Sequence, residues 1–417
     1  MQSFIINGGR KLGGEIDIHG AKNSVLPLIS ATVLLNGKSV LHNCPDLSDV
    51  DAALDIISSL GLSYSKNGGT LSIDSLMPGC YEIPDELMRK MRSSVMFLGA
   101  ILGRCNKAVI SMPGGCKLGP RPIDIHIKAL SRLGATVTER NGRLEFEAKN
   151  GLKGAEVLLD FPSVGATENV ILAAATAEGK TTLLNAAREP EIKDLTDFLN
   201  AAGAKIVGGG TDTLVIRGVK ELGAAEFSVM PDRIEAATYM CAAAATCGDI
   251  TLKNICAGHL TAVNKALTEA GCDITVQGGN LRICAPGRLS AITPVRTRVY
   301  PGFPTDAGPL LISALSCAKG TSVLYESIFQ NRYGFVDELN RFGTAVQTFG
   351  LAAVVNGVEE LHGTSCVCTD LRGGAAVVIA ALKANGISTV GDVCHIKRGY
   401  ENFAANLKSL GADIKEV

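Results

Sequence analysis

Five segments of the chain are apolar or small at nearly every residue. They read VLPLISATVLLNG, VILAAATAEG, YMCAAAATCG, LLISALSCAKG and AAVVIAALKANG, and each ends in Gly. A surface helix carries a single apolar stripe, whereas a helix that is apolar all round is buried. Short strand-like pieces and amphipathic segments lie between them. The pattern therefore predicts an α/β fold with helices inside and with sheets and amphipathic helices outside, the reverse of an ordinary α/β barrel.

A second glycine recurs where each amphipathic segment ends and a strand-like piece begins. It stands in SLGLSYS, RLGATVT, AAGAKIV, EAGCDIT, RFGTAVQ and SLGADIK, as Gly61, Gly134, Gly203, Gly271, Gly343 and Gly411, at intervals of 68 to 73 residues. Glycine suits the left-handed conformation just past a helix end. Six βαβαββ-like repeats thus account for the whole chain.

The sixth repeat is incomplete, because only ADIKEV follows Gly411. The N-terminus supplies matching strand-like pieces, SFIINGG and GEIDIHG. We therefore expect three repeats in a first lobe, residues 22–230, and three in a discontinuous second lobe, residues 1–21 and 231–417. A closed ring of six repeats is the alternative that periodicity leaves open.

Composition narrows the classes of function. The chain has 417 residues, 46% of them hydrophobic and 19% charged, which is typical of a compact protein with two or three domains. The net charge of −1 provides no overall attraction to nucleic acid. No apolar run is long enough to cross a bilayer, and we expect no secretory leader. Thirteen cysteines without a C-x-x-C motif favour reduced thiols in a cytoplasm and argue against a metal centre.

Polar residues gather at two positions of the repeat, the start of the buried helix and the loop after the strand that follows it. They are Lys22, Asn23, Arg92, Arg233, Asp306 and Arg372 at helix starts, and Cys116, Arg121, Arg332 and Arg398 in loops. Helix N-termini favour anions, and added cations make a strong site for phosphate or carboxylate. A single arginine is usually a solvated surface charge, but recurrence at equivalent positions favours a shared anion site between the lobes.

Three side chains are candidates for chemistry. Cys116 lies in MPGGCKLGPRP, where glycines and prolines disfavour regular structure. Lys117 and Arg121 favour its thiolate, so we prefer a reactive role to that of a small buried side chain. Asp306 is either an N-cap or a base that takes a proton from a hydroxyl. For His126, packing and catalysis both stay open.

The motifs around these residues resemble one enzyme family. GAKNSVLPLI, PGGCKLGPRPIDIHI, RIEAATYM, FPTD, the NR after IFQ, TDLRGGAA and RGYENF occur in the order found in bacterial enolpyruvyl transferases of the UDP-N-acetylglucosamine 1-carboxyvinyltransferase type. The resemblance spans essentially the full chain. It implies a two-lobed inverse α/β barrel and transfer of the enolpyruvyl group of phosphoenolpyruvate to the 3′-hydroxyl of UDP-N-acetylglucosamine. Phosphate would leave from a tetrahedral ketal, in the first committed step of peptidoglycan precursor synthesis in the bacterial cytoplasm.

The resemblance also implies roles for individual residues. Asp306 matches the aspartate near the acceptor hydroxyl, and Cys116 the loop thiol that acts in acid catalysis or product release and reacts with epoxides of the fosfomycin type. Lys22, Arg121 and Arg398 match cations around the phosphate, and Arg332 and Arg372 match those near the carboxylate. The expected catalytic set is Cys116, Asp306, Lys22 and Arg398. Further substrate contacts are Asn23, Arg92, Pro122, Ile123, Asp124, Ile125, Phe161, Pro162, Ser163, Val164 and Ile328.

Some expectations stay open or negative. At 161–164 the chain reads FPSV, where many relatives begin with a basic residue. No cofactor, metal, nucleic acid or membrane insertion is implied, and the oligomeric state is not predicted. One alternative is a shikimate-3-phosphate enolpyruvyl transferase, in which the PGGC cysteine is not expected. The other is a catalytically idle paralogue that keeps a nucleotide-sugar site, although every catalytic-type position holds the expected residue type.

Overall fold

The computed structural model describes residues 2–76, 78–111 and 123–417. The chain forms two compact units, each with its own hydrophobic core. The central unit contains the described residues of 20–230, and the terminal unit contains residues 2–19 and 231–417.

The helices alternate between buried and amphipathic members along the chain. In the central unit they are α1 (Lys22–Thr32), α2 (Ser48–Ser59), α3 (Asp85–Lys90), α4 (Phe97–Cys105), α5 (Asp124–Arg132), α6 (Val164–Ala174) and α7 (Pro190–Ala201). In the terminal unit they are α8 (Arg233–Ala245), α9 (Thr261–Glu269), α10 (Gly308–Leu315), α11 (Val336–Asn340), α12 (Leu371–Lys383) and α13 (Phe403–Ser409). Short 3-10 helices span Arg92–Met96, Ala257–Leu260, Thr305–Ala307 and Val393–Arg398.

Small sheets surround the buried helices of each unit. The strands are β1 (Ser3–Asn7), β2 (Gly13–Asp17), β3 (Leu35–Asn36), β4 (Lys38–His42), β5 (Ser63–Asn67), β6 (Thr70–Asp74), β7 (Lys107–Ser111), β8 (Thr136–Arg140), β9 (Arg143–Glu147), β10 (Glu156–Leu158), β11 (Lys180–Leu184), β12 (Lys205–Val207), β13 (Thr213–Arg217), β14 (Leu222–Gly223), β15 (Glu226–Ser228), β16 (Asp249–Lys253), β17 (Asp273–Gln277), β18 (Asn280–Cys284), β19 (Val295–Arg296), β20 (Thr321–Tyr325), β21 (Ala345–Phe349), β22 (Ala352–Asn356), β23 (Ser365–Val367), β24 (Ile387–Gly391) and β25 (Asp413–Glu416).

Five sheets share one strand pattern. Their orders are β15-β4-β6-β5, β10-β11-β13-β12, β17-β18-β16-β2, β19-β20-β22-β21 and β23-β24-β1-β25. The sheet of β19 to β22 shows the pattern, with one parallel pair, β19 and β20, followed by antiparallel pairs. The two remaining sheets are β7-β9-β8 and β14-β3.

The segments that are apolar all round form the buried helices. In α8 every residue from Ile234 to Ala245 is buried, and in α12 every residue from Arg372 to Leu382 is buried. In the terminal unit α8, α10 and α12 pack against one another, and in the central unit α4 packs on both α1 and α6. Helices such as α9 bury only one face. The predicted α/β class, with helices inside and sheets outside, is confirmed.

The two N-terminal strands pair with strands that are distant from them in the sequence. β1 pairs with both β24 and β25, so Phe4 and Ile6 enter the core beside Ile414 and complete the sheet of the last repeat. β2 pairs in parallel with β16, and β15, which leads into α8, pairs in parallel with β4. Among the described residues, no helix has the length and apolar character that crossing a bilayer requires.

The recurrent glycines end the amphipathic helices as predicted. Gly61, Gly134, Gly203, Gly271, Gly343 and Gly411 all have positive φ, between 83° and 104°. Only glycine adopts this backbone conformation without steric cost, so the six positions mark where each repeat turns from helix to strand.

A close approach of α4 to α6 depends on Gly99. A Cβ atom there would lie 2.8 Å from the Cα of Asn169 and would overlap the Asn169 backbone oxygen. We expect Gly99→Ala to lower the free energy of unfolding by about 3 kcal/mol, because a backbone cannot yield as a side chain can. Urea unfolding at neutral pH measures the change. Gly79→Ala is the matched control, since nothing lies within 4 Å of a Cβ at Gly79. Equal losses in both variants would refute the close-packing argument.

Candidate active site

The terminal unit holds two buried arginines against one carboxylate. Asp306 lies in the 3-10 helix Thr305–Ala307 that leads into α10. Arg332 Nη2 donates to Asp306 Oδ1 at 2.9 Å, and Arg372 Nε donates to Oδ2 at 3.2 Å. Both arginines are 2% exposed, whereas the Asp306 side chain is 27% exposed. The carboxylate is thus the accessible end of a cationic cluster that protein covers elsewhere.

The environment of Asp306 excludes one of its two predicted roles. The N-cap of α10 is Ala307, and both Asp306 oxygens bond to arginines, so the N-cap alternative is wrong. Burial opposes ionisation of Asp306, but the charges of Arg372 and Arg332 outweigh it and hold the pKa of this carboxyl below its usual range. The group is therefore an anion at neutral pH, yet a weak base while both guanidinium groups contact it.

One nitrogen of the Arg372 guanidinium makes no hydrogen bond to the described residues. Asp370 caps α12 by accepting hydrogen bonds from the backbone N–H groups of Arg372 and Gly373, at 3.1 and 3.0 Å. The guanidinium lies over the Tyr400 ring, 5.1 Å from its centroid. Its Nη1 atom is buried and has no hydrogen-bond partner among the described residues. A buried donor without an acceptor costs free energy, and an anionic ligand would remove that cost.

The other two predicted residues of the terminal unit lie outside its α-helices and strands. Arg398 is the last residue of the 3-10 helix Val393–Arg398 and is half-buried. Ile328 follows β20 and is also half-buried, and its backbone N–H donates to Glu326 Oε1 at 2.7 Å. The structure therefore fixes the backbone of Ile328 through a buried carboxylate.

In the central unit, a buried ion pair fixes Lys22. Lys22 is the first residue of α1, and Asp49 lies in the first turn of α2. The Lys22 Nζ and Asp49 Oδ2 atoms are 2.6 Å apart, and the two side chains are 10% and 4% exposed. A buried ammonium group requires a counter-charge, so Asp49 sets where Lys22 lies. Asn23, one residue later, is exposed.

The remaining predicted contacts of the central unit gather at the starts of short helical segments. Arg92 opens the 3-10 helix Arg92–Met96, and the Ser163 side chain caps α6 by accepting from Ala166 N–H at 3.4 Å. Ile123 is buried, Phe161 and Asp124 are exposed, and Ile125, Pro162, Ser163 and Val164 are half-buried. Cys116, Arg121 and Pro122, together with Lys117, lie outside the described residues.

His126 is a buried neutral base beside these segments. Asn169 Nδ2 lies 2.9 Å from His126 Nδ1. The Gly99 backbone N–H donates to Asn169 Oδ1, so Nδ2 is the donor and Nδ1 of His126 is the acceptor. Burial, together with the nearby charge of Arg92, lowers the pKa of His126 to about 4. Of the two predicted roles, packing and catalysis, these contacts favour packing, with a neutral imidazole in contact with α6.

Several residues of these sites carried no usable signal in the sequence. Asp49 reads as an ordinary acidic residue in the first turn of a helix, and Glu326 as a charge at a strand end. Their partners are distant in the sequence or separated from them by a turn, so only the fold shows that both carboxylates are buried.

The neutral state of His126 predicts a pH effect on stability. The unfolded imidazole takes up a proton near pH 6.5, whereas the folded one resists protonation down to about pH 4. Stability due to His126 is therefore complete above pH 6.5 and is lost as pH falls towards 4, by up to about 1.4 kcal/mol per pH unit. We expect His126→Gln to reduce this slope in urea unfolding between pH 7 and 4.5. Identical slopes, or a wild-type imidazole NMR titration midpoint above 6, would contradict the assignment.

Comparison with known proteins supports the resemblance. The family model described as EPSP synthase (3-phosphoshikimate 1-carboxyvinyltransferase) matches residues 6–407. UDP-N-acetylglucosamine 1-carboxyvinyltransferase 2 of Caldanaerobacter subterraneus is 46% identical over 417 residues, covering 100% of both chains. UDP-N-acetylglucosamine 1-carboxyvinyltransferase of Trichlorobacter lovleyi is 45% identical, covering 100% of this chain and 99% of that protein.

Solved structures share the fold at lower identity. The enolpyruvyl transferase NikO from Streptomyces tendae superposes with a TM-score of 0.89 at 24% identity, covering 100% of this chain and 99% of that one. An EPSP synthase from Acinetobacter baumannii gives a TM-score of 0.76 at 21% identity, covering 100% of both chains. With its fold shared by these structures and its whole length matched by the curated relatives, the chain belongs to the enolpyruvyl transferase family, as a full-length relative of the UDP-N-acetylglucosamine 1-carboxyvinyltransferases.

Proposed function

We propose that the protein transfers the enolpyruvyl group of phosphoenolpyruvate to the 3′-hydroxyl of UDP-N-acetylglucosamine and releases phosphate. The observation that carries this proposal is identity of 43 to 46% over the whole chain to relatives named for that reaction. The reaction would be the first committed step of peptidoglycan precursor synthesis in a bacterial cytoplasm, and so would serve cell shape and division. Twelve cysteines of the described part are all free, which suits such a compartment.

The proposed reaction makes three demands on the protein. The acceptor hydroxyl must lose a proton, C3 of the donor must gain one, and the phosphate and carboxylate of the donor must be held by fixed cations. Asp306 suits the first demand because it is ionised and partly exposed. Arg332 and Arg372 suit the carboxylate, since both are buried and Arg372 Nη1 lacks an acceptor among the described residues.

The Asp306 cluster couples donor binding to base strength. Both guanidinium groups bond to Asp306 in the free protein and keep its proton affinity low. A donor carboxylate competes for the same guanidinium groups, which weakens their contacts with Asp306 and raises its affinity for a proton. Asp306 therefore becomes an effective base once the donor is bound, and the acceptor hydroxyl is activated beside it.

The central unit contributes the remaining predicted contacts to the proposal. Lys22, which Asp49 holds in place, together with Arg121 and Arg398, serves the phosphate, and Asn23 and Arg92 contact substrate. The segments 121–125 and 161–164 bind the uridine diphosphate, with Ile328 of the terminal unit on the sugar. Cys116 acts as acid for C3 or in product release, and is the thiol that epoxides of the fosfomycin type alkylate. No cofactor, metal or nucleic acid takes part.

Phosphate release tests the activity. The purified chain should release phosphate only when phosphoenolpyruvate and UDP-N-acetylglucosamine are both present, with one enolpyruvyl product per phosphate by mass spectrometry. Prior treatment with the epoxide should stop release and label Cys116, while the exposed Cys394 serves as the internal control for selectivity. Release from phosphoenolpyruvate only when shikimate 3-phosphate replaces the nucleotide sugar as acceptor would instead identify the related transferase. Binding of the nucleotide sugar without release would identify an idle paralogue.

Asp306→Asn separates base catalysis from donor binding. The amide keeps the size of the side chain but cannot take the hydroxyl proton, so kcat should fall about 100-fold or more. The KM for phosphoenolpyruvate should not rise, because both arginines lose a competing carboxylate. The same change at Asp337, an exposed residue of α11, is the control and should leave kcat unchanged. A kcat within about threefold of wild type would exclude Asp306 as the base.

A further inference from the structure

Glu326 is a buried carboxylate that no substrate role explains. It follows the last residue of β20 and is only 2% exposed. Its Oε1 accepts from the Thr297 hydroxyl at 2.9 Å and from the backbone N–H groups of Ile328 and Phe329 at 2.7 and 3.1 Å. Its Oε2 accepts from the Thr305 hydroxyl at 2.8 Å. Four donors thus surround one side chain.

Every partner of Glu326 in the described part of the chain is neutral. None of the ion pairs found there includes Glu326. A buried carboxylate without a cation is costly, and full hydrogen bonding is the way to compensate it. The network favours a single arrangement of the donor groups, because moving any one of them away would leave the buried carboxylate with too few hydrogen bonds. Glu326 therefore fixes the relative positions of the three chain segments that supply its donors.

Two of those three segments lead directly to members of the Asp306 cluster, one to Asp306 and the other to Arg332. Thr297 follows β19, Thr305 immediately precedes Asp306, and Ile328 begins the loop that leads to Arg332. Thr305 is held from two sides, since its hydroxyl donates to Glu326 and its carbonyl oxygen accepts from Arg332 Nε at 3.1 Å. The peptide that carries Asp306 is thereby clamped between Glu326 and Arg332.

A second link joins the Glu326 loop to β19. The Ser327 backbone N–H donates to the Thr297 hydroxyl oxygen at 2.9 Å, and the Ser327 hydroxyl donates to the Thr297 carbonyl oxygen. Thr297 thus accepts from Ser327 and donates to Glu326 with the same hydroxyl. The loop of Ile328 and Arg332 therefore begins at a point fixed to both β19 and β20.

We propose that Glu326 is a positioning residue of the transferase, which sets the Asp306 carboxylate and the Ile328 backbone at the places where the acceptor is activated. The proposal rests on the proposed function. In this role Glu326 contacts neither phosphoenolpyruvate nor the nucleotide sugar. It acts through Thr305 on the base and through the Ile328 amide on the sugar contact, so its loss should affect turnover more than donor binding.

One isosteric substitution removes the link between Glu326 and the Asp306 peptide, and a second serves as its control. Thr305→Val removes the hydroxyl that ties the Asp306 peptide to Glu326 and leaves the bonds to Ile328 and Phe329 intact. We expect kcat to fall about tenfold, with each KM within about threefold of wild type, because one hydrogen bond to a charged group is lost. Thr321→Val is the matched control, since it removes the bond from the exposed Thr321 hydroxyl of β20 to Asn356 Oδ1 of the neighbouring β22. It should keep wild-type kcat.

Substitution of Glu326 itself tests acceptor geometry. Glu326→Gln can keep Oε1 as the acceptor and donate to the Thr305 hydroxyl oxygen through its amide, so it should retain most activity. Glu326→Met fills the same space without acceptors and should lose at least as much kcat as Thr305→Val. Equal kcat in wild type, Thr305→Val and Glu326→Met overturns the proposal. A loss in Glu326→Gln as large as that in Glu326→Met also overturns it.

A readout independent of activity separates this proposal from the proposed function. Amide hydrogen exchange should quicken at residues 303–308 in Thr305→Val and at both 303–308 and 326–333 in Glu326→Met, with the rest of the terminal unit unchanged. If wild type releases no phosphate, the proposed function fails and the catalytic part of this proposal fails with it. If wild type is active and exchange at 303–308 does not change in either variant, the positioning role of Glu326 is refuted and the proposed function stands.

Discussion

A helix that is apolar on all sides can offer only its ends to water or to a ligand. In α8 and α12 nearly every residue is buried, so polar chemistry on these segments is confined to their first turns. The free N–H groups of a first turn already favour anions. Arg372 at the start of α12 and Lys22 at the start of α1 add full charges at such ends. The inverse arrangement of helices and sheets therefore determines where an anion can bind in each unit.

The Asp306 cluster joins two such ends, because Asp306 lies just before α10 and Arg372 lies in the first turn of α12. Two guanidinium groups and one carboxylate leave an excess of positive charge, with the carboxylate at the exposed side. The cluster is stable without ligand because the charges are paired, and it is incomplete because one arginine donor has no acceptor among the described residues. In the proposed reaction, the same contacts would both leave a donor group available for an anion and keep the proton affinity of Asp306 low until the anion binds.

Local signals predicted the fold and only part of the site. The six glycines report a backbone conformation that each residue adopts by itself, and all-round apolarity reports burial of a helix, so both could be identified from sequence. Asp306 stood out because FPTD belongs to a recognised motif. Asp49 and Glu326 did not, because their significance lies in partners brought together by folding. For His126 the sequence leaves packing and catalysis open, because it does not show the partners of the imidazole, and the Asn169 contacts favour packing.

Buried polar groups argue for retained activity over an idle scaffold. Replacing a buried ion pair by apolar residues of similar volume is often neutral or stabilising by about 1 to 4 kcal/mol. Stability alone therefore does not explain why the chain keeps the Lys22–Asp49 pair or the buried carboxylate of Glu326, which lacks a cationic partner in the described part of the chain. A protein that only bound a nucleotide sugar would not require a carboxylate held by two arginines, or hydrogen bonds from both sides to the residue that precedes it. Both features are expected in an enzyme that must transfer a proton close to a bound anionic substrate.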